Sequence, residues 1–166
     1  IGNSFVGLTI PYMEADSRTA PAQVSKLDAR ADVNGAMNDT IKWENPTKAW
    51  NGTDLSDLKE VLVYRKKPNV ATTELTSTET LLSTANADLI AKIDATNKMG
   101  QPMQYVDANP YKGVNTYYVV ASRVAGEKGV PDSIRCYMGV DVPGAVQNIQ
   151  IKKKGTGIEL SWEAPT

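Results

Sequence analysis

The chain has 166 residues, 41% hydrophobic and 22% charged, with 18 basic side chains against 19 acidic ones for a net charge of −1. This is an ordinary globular composition, and its near-neutrality removes any electrostatic case for nucleic acid or an anionic membrane as partner. A single cysteine, Cys136, excludes an internal disulfide, and the absence of histidine excludes Ser-His-Asp and Cys-His catalysis and histidine-held zinc. No apolar run approaches the 18 residues of a membrane span, so no membrane insertion is expected of this segment. No stretch reads as a signal peptide, and a chain that opens on Ile1 reads as part of a longer protein.

Residues 3–10 (NSFVGLTI) read as a short strand, and residues 11–23, with Pro11 and Pro21, as a connector. From Val24 the apolar positions Val24, Leu27, Ala29 and Ala31 alternate with one slip, which a β-bulge would absorb. Asn34-Gly35 marks a turn, since both residues tolerate positive φ. The next strand, 39–44, sets Ile41 and Trp43 on one face against Thr40 and Lys42, and Pro46 ends it. After a loop carrying Trp50, Asn51 and Gly52, residues 58–66 form a strand with Val61 and Val63 on one face and Leu62 and Tyr64 on the other. Residues 68–86, rich in Thr, Ser, Ala and Glu, have no clear period and read as an inserted loop with at most a short helical turn. Short strands follow at 88–94 and 103–106.

Residues 115–141 read as a hairpin, two apolar runs around Gly126-Glu127-Lys128-Gly129. Its first run puts Tyr117, Val119 and Ala121 on one face and Tyr118, Val120 and Ser122 on the other. Apolarity on both faces places this strand inside a sheet, away from an edge. Many short strands between turn signals, with no sustained period of 3.6, predict an all-β, antiparallel β-sandwich.

An internal repeat runs beneath this pattern. Pro21, Val24, Leu27, Ala29, Ile41, Trp43, Glu44, Pro46 and Thr47 recur as Pro143, Val146, Ile149, Ile151, Leu160, Trp162, Glu163, Pro165 and Thr166. The two turns differ by three residues. Asn3-Ser4-Phe5 likewise matches Asp132-Ser133-Ile134. The predicted organisation is the last strand of one module with its linker (1–20), a complete module (21–141), and the first two strands of another (142–166). Each partial unit is a poor fold alone, because a lone hairpin is marginal in water. These ends are expected to pair with other modules of the chain or with neighbouring copies.

The opening proline, the Trp on the second strand, Val63-Tyr64-Arg65 and the run Asn115-Thr116-Tyr117-Tyr118-Val119-Val120-Ala121 before Gly126-Glu127 resemble fibronectin type III modules. They are most similar to those found in tandem in secreted and surface proteins of Bacteroidetes. The resemblance implies a seven-strand immunoglobulin-like sandwich, an extracytoplasmic location, and a Trp between the sheets, here Trp43 and Trp162, with Tyr117 near it. The core is accordingly expected to hold Ile41, Trp43, Val61, Val63, Tyr117, Val119 and Trp162. The insertion at 68–86 departs from the family pattern, and no Arg-Gly-Asp tripeptide is present.

Candidate sites are few. Trp50, in a loop, and Tyr111 are the aromatics placed to meet a ligand. Asn51, Asp54 and Asp57 lack the alternate spacing and terminal Glu of an EF-hand and read as turn residues. Glu44, Glu60, Asp88, Asp94 and Asp107 lie on separate strands and loops, so no acid pair for glycoside hydrolysis is evident. The sequence therefore predicts a non-catalytic spacer or adhesion module without cofactor or metal. The alternative is a carbohydrate- or protein-binding module using Trp50, Tyr111 and the 68–86 insertion, with a surface glycan or protein as its partner.

Overall fold

The computed structural model describes residues 20–71, 77–139 and 146–164. Among them are nine strands: β1 (Ser25–Asp32), β2 (Asn38–Glu44), β3 (Leu58–Lys66), β4 (Ala87–Asp94), β5 (Pro102–Asp107), β6 (Gly113–Arg123), β7 (Asp132–Met138), β8 (Gln147–Lys154) and β9 (Gly157–Glu163). One helical turn, α1 (Thr78–Leu81), lies between β3 and β4. All the pairing is antiparallel, in sheets ordered β1-β2-β5, β4-β3-β6-β7 and β8-β9. The all-β expectation holds. The count is nine strands in three sheets, and the third sheet is a separate hairpin. The strand expected at residues 3–10 and the joint at 140–145 lie outside the described residues.

Alternation along the strands builds the core. Ile41 and Trp43 of β2, Val61 and Val63 of β3, Tyr117, Val119 and Ala121 of β6 and Cys136 of β7 are all buried in one cluster. That cluster draws on both larger sheets, so their inner faces pack on each other, the arrangement of a β-sandwich. Central β6 lies between β3 and β7, as its two apolar faces predicted. Its outer face and that of β3 form a second buried cluster of Leu62, Tyr64, Tyr118 and Val120 with Ala87, covered by Leu81 and Leu82. The insertion is thus more than a loop. Ser77 caps α1 by accepting from the Thr80 amide at 3.2 Å, and the turn presents Leu81 and Leu82 to the sheet.

The slip in the first strand is a bulge. Ser25 pairs with Glu44 but Asp28 with Lys42, so β1 carries one extra residue, and Lys26 takes a positive φ of 53°. The Asp32 carboxylate accepts the Gly35 and Ala36 amides at 2.9 and 3.0 Å and closes the following turn. At the end of the β6–β7 turn, the Gly129 amide donates to Ala121 O at 2.8 Å. A Cβ there would meet Pro21 O at 2.5 Å, so only glycine lets the turn lie against the backbone at Pro21.

Hairpin β8–β9 repeats β1–β2 in detail. Gln147 pairs with Glu163 but Gln150 with Ser161, the same one-residue bulge, and Asn148 at the position of Lys26 has φ of 50°. Lys26 Nζ meets Glu44 Oε2 at 2.8 Å, and Asn148 Nδ2 donates to Glu163 Oε2 at 2.5 Å. Burial, however, is reversed. Trp43 is 2% exposed and Trp162 57%, and Ile41 is 0% exposed where Leu160 is 53%. The core position expected for Trp162 is therefore corrected. Its sheet has two strands and, among the described residues, no second layer packs on its apolar face.

Because the two hairpins share local structure and differ in packing, equivalent truncations should diverge. Ile41→Ala should cost about 2–5 kcal/mol of global stability. Leu160→Ala, at the equivalent position and 53% exposed, should change it by less than about 0.5 kcal/mol, both measured by urea unfolding.

Candidate functional site

Alternation also drives polar groups inward at one end of the sandwich. Asp39 of β2 and Asp107 of β5 pair across the three-stranded sheet and are 0% and 5% exposed. The Tyr117 hydroxyl of β6 reaches across from the other sheet, 2.6 Å from Asp39 Oδ2 and 2.9 Å from Asp107 Oδ2. The Cys136 thiol donates to Asp39 Oδ1 at 3.5 Å. Arg65 Nη1 donates to Asp107 Oδ2 at 2.5 Å and to Asn109 O at 2.7 Å. Its guanidinium lies 4.2 Å from the centroid of the Tyr111 ring. Burial opposes the Arg65 charge, but Asp107 outweighs it and holds the guanidinium more firmly protonated than usual. Burial first, then the two carboxylates, push the Tyr117 phenol far above its ordinary value of 10.0. Burial and Asp39 push the Cys136 thiol up to about 12, so it carries little thiolate and little nucleophilicity.

Among the described residues, no three acidic or cysteine side chains gather as a metal ion would require. The residues weighed as a calcium loop are engaged elsewhere. Asp54 holds Lys48 at 2.5 Å, Asp57 holds Arg123 at 2.7 Å, and Asn51 accepts from the Thr53 amide and hydroxyl. The acids expected on separate elements are mostly answered by cations: Glu44 by Lys26, Asp88 by Lys67, Asp94 by Lys98 and Asp107 by Arg65. One close carboxylate pair that the sequence did not suggest, Asp39 and Asp107, is sealed inside the sandwich. Among the described residues, no helix is long and apolar enough to cross a membrane.

The two aromatics proposed to meet a ligand do not share a surface. Trp50 precedes β3, Tyr111 precedes β6, and the two strands run antiparallel with Leu58 opposite Arg123 and Arg65 opposite Tyr117. They therefore stand at opposite ends of the sheets. Trp50 is fixed through its backbone, its amide donating to Ala20 O at 2.7 Å, and the residue is 56% exposed. Tyr111 is a clamp: it underlies Arg65, its hydroxyl donates to Asp88 Oδ2 at 3.3 Å, and its amide and carbonyl both bond the Asn115 side chain. The 68–86 insertion leaves β3 at the Tyr111 end, far from Trp50.

A cleft of about 370 Å³ opens beside the insertion, on the outer face of the four-stranded sheet. Thr116 and Tyr118 of β6 stand opposite Arg135 and Ser133 of β7, and Leu81 and Pro131 form its sides. Tyr118 is 3% exposed, and its hydroxyl has no hydrogen-bond partner. Burial raises the Tyr118 phenol, and Arg135 partly offsets that rise. Among the described residues, no ion pair or hydrogen bond engages the Arg135 side chain. The sequence carried one clue to this cleft, the unexplained apolarity of the outer faces of β3 and β6 beside an insertion. No protein-family model matches this chain, and no curated protein matches its sequence.

Replacing Tyr117 by Phe keeps the ring and removes the donor shared by two buried carboxylates. It should destabilise the fold by about 2 kcal/mol in urea melts at neutral pH. Raised acidities in the folded state also set an alkaline limit. The contribution of Cys136 is fully present below the thiol's ordinary value of 9.0 and is lost as pH climbs from there to about 12. That of Tyr117 is present below 10.0 and falls above it. Stability should fall by up to about 1.4 kcal/mol per pH unit for each group within its window. Cys136→Ala should flatten the earlier part of this decline and Tyr117→Phe the later part.

Proposed function

We propose that this chain is a non-catalytic segment of a tandem β-sandwich array in a larger secreted or cell-surface protein, serving as spacer and adhesion module. In this reading residues 21–141 are one fibronectin type III-like unit, residues 1–20 end a preceding one, and residues 142–166 begin the next. The observation that carries it is the repetition of β1–β2 by β8–β9 in bulge, register and positive-φ residue, with an apolar face that no second layer of the described residues covers. A hairpin with this geometry buries its Trp when a four-stranded sheet lies opposite, as β2 does here. Module-on-module repetition makes such a chain a nearly one-dimensional object whose units contact only their neighbours. The near-neutral net charge of the chain and the engagement of Glu44, Asp54, Asp57, Asp88, Asp94 and Asp107 in ion pairs suit a passive element.

Binding by Trp50, Tyr111 and the insertion acting together is not supported by their placement at opposite ends. The insertion retains a case of its own, taken up below.

Joining residues 21–166 directly after Val142, so that Pro21 takes the place of Pro143, tests the spacer reading. Small-angle scattering should give an elongated particle about twice as long as one unit, with both copies melting cooperatively. A compact particle no longer than a single unit would overturn the proposal.

A further inference from the structure

We infer that the cleft between α1 and the outer face of β6–β7 is a binding site for a carboxylated sugar of hexuronic acid size. The cavity, about 370 Å³, is at the small end of ligand pockets and suits one monosaccharide unit. Its polar groups are of two kinds. The Arg135 guanidinium is a planar donor suited to a carboxylate, and no carboxylate of the described residues engages it. Tyr118, Thr116 and Ser133 supply three hydroxyls, which match sugar hydroxyls as donors or acceptors. The sides at Leu81 and Pro131 are apolar and offer contact to the C–H face of a pyranose ring.

The decisive group is Tyr118. Buried hydroxyls are nearly always bonded, because leaving one without a partner forfeits its hydration with no return. Tyr118 is 3% exposed, its oxygen has no partner, and it lines the cleft beside Arg135, which no carboxylate of the described residues engages. The fold gives this phenol no internal role, unlike Tyr117 one residue earlier. A ligand oxygen in the cleft would satisfy it. The single cation favours a monoanion over a phosphate dianion, which would leave one charge unanswered. This inference does not depend on the tandem reading: a spacer with such a cleft is one that also adheres.

The test is an NMR titration of the whole 166-residue chain with galacturonate and glucuronate, using acetate and galactose as separate arms. Uronate should produce saturable shifts at the amides of Thr116, Tyr118, Ser133 and Arg135, with a Kd of about 1 mM, the scale for a ligand of a dozen heavy atoms. Arg135→Gln, at an exposed position, should fold normally and weaken binding roughly tenfold or more. Tyr118→Phe should weaken it by about fivefold without lowering the melting temperature. Trp50→Ala should leave it unchanged. The inference fails if no arm saturates, if the shifts map elsewhere, if Arg135→Gln binds as the parent does, or if acetate or galactose binds as tightly as the uronates.

Discussion

One phenolic hydroxyl ties the two large sheets together. Tyr117 belongs to the four-stranded sheet, and both carboxylates it meets, Asp39 and Asp107, belong to the three-stranded one. Through Asp107 the connection continues to Arg65 on β3, and from Arg65 to Asn109 and the ring of Tyr111. A buried carboxylate without partners would destabilise the fold by several kcal/mol. These are tolerated because phenol, thiol and guanidinium converge on them. The network also constrains register. A one-residue slip of β2 would turn Asp39, Ile41 and Trp43 outward together, losing the apolar burial and the polar contacts in the same step. Apolar packing elsewhere tolerates small adjustments, whereas this cluster admits one alignment of the sheets.

The second constraint is the outer face of the four-stranded sheet. Most sandwiches leave such a face to water and make it polar. Here Leu62, Tyr64, Tyr118 and Val120 line it, and the insertion between β3 and β4 covers them with Leu81 and Leu82. One turn of helix cannot span four strands. It shields β3 and the near side of β6 and stops short of β7, where the cleft opens against Ser133 and Arg135. The cleft therefore follows from the mismatch between a short cover and a wide face.

Much of this architecture was legible in the sequence, for identifiable reasons. Strand positions came from period-two alternation, the bulge in β1 from the slip at Leu27, and the turn at Asn34-Gly35 from residues that tolerate positive φ. All are local signals. The polar cluster was less visible, because nothing in the neighbourhood of Asp39 in sequence marks it as different from an exposed strand acid. Its partners Asp107, Tyr117 and Cys136 lie more than 60 residues away, and only the fold brings them together. Trp50 and Tyr111 failed as a pair for the same reason. Each sits in a loop before a strand, but strand direction decides which end of the sandwich that loop occupies. The aperiodic stretch 68–86 reads as a loop, but its role depends on the face that Leu81 and Leu82 cover.

Hairpin β8–β9 separates local coding from tertiary coding within one chain. It shares with β1–β2 the bulge, the positive φ and the side-chain bond from the bulge to the last strand residue. Those features recur without a packed core, so short-range sequence specifies them: residue pairing, the bulge and the turn. Burial does not recur. Val24 is 4% exposed and Val146 43%, although the two occupy the same place in the repeat. The tryptophan of β2 is thus made a core residue by the sheet opposite it, and its Nε1 bond to Asn45 is made in the dry interior which that sheet creates. Trp162, followed like Trp43 by a glutamate but with Ala164 in the place of Asn45, is 57% exposed. A repeat in sequence therefore implies a repeat in backbone geometry at once, and a repeat in core only where a covering layer is present.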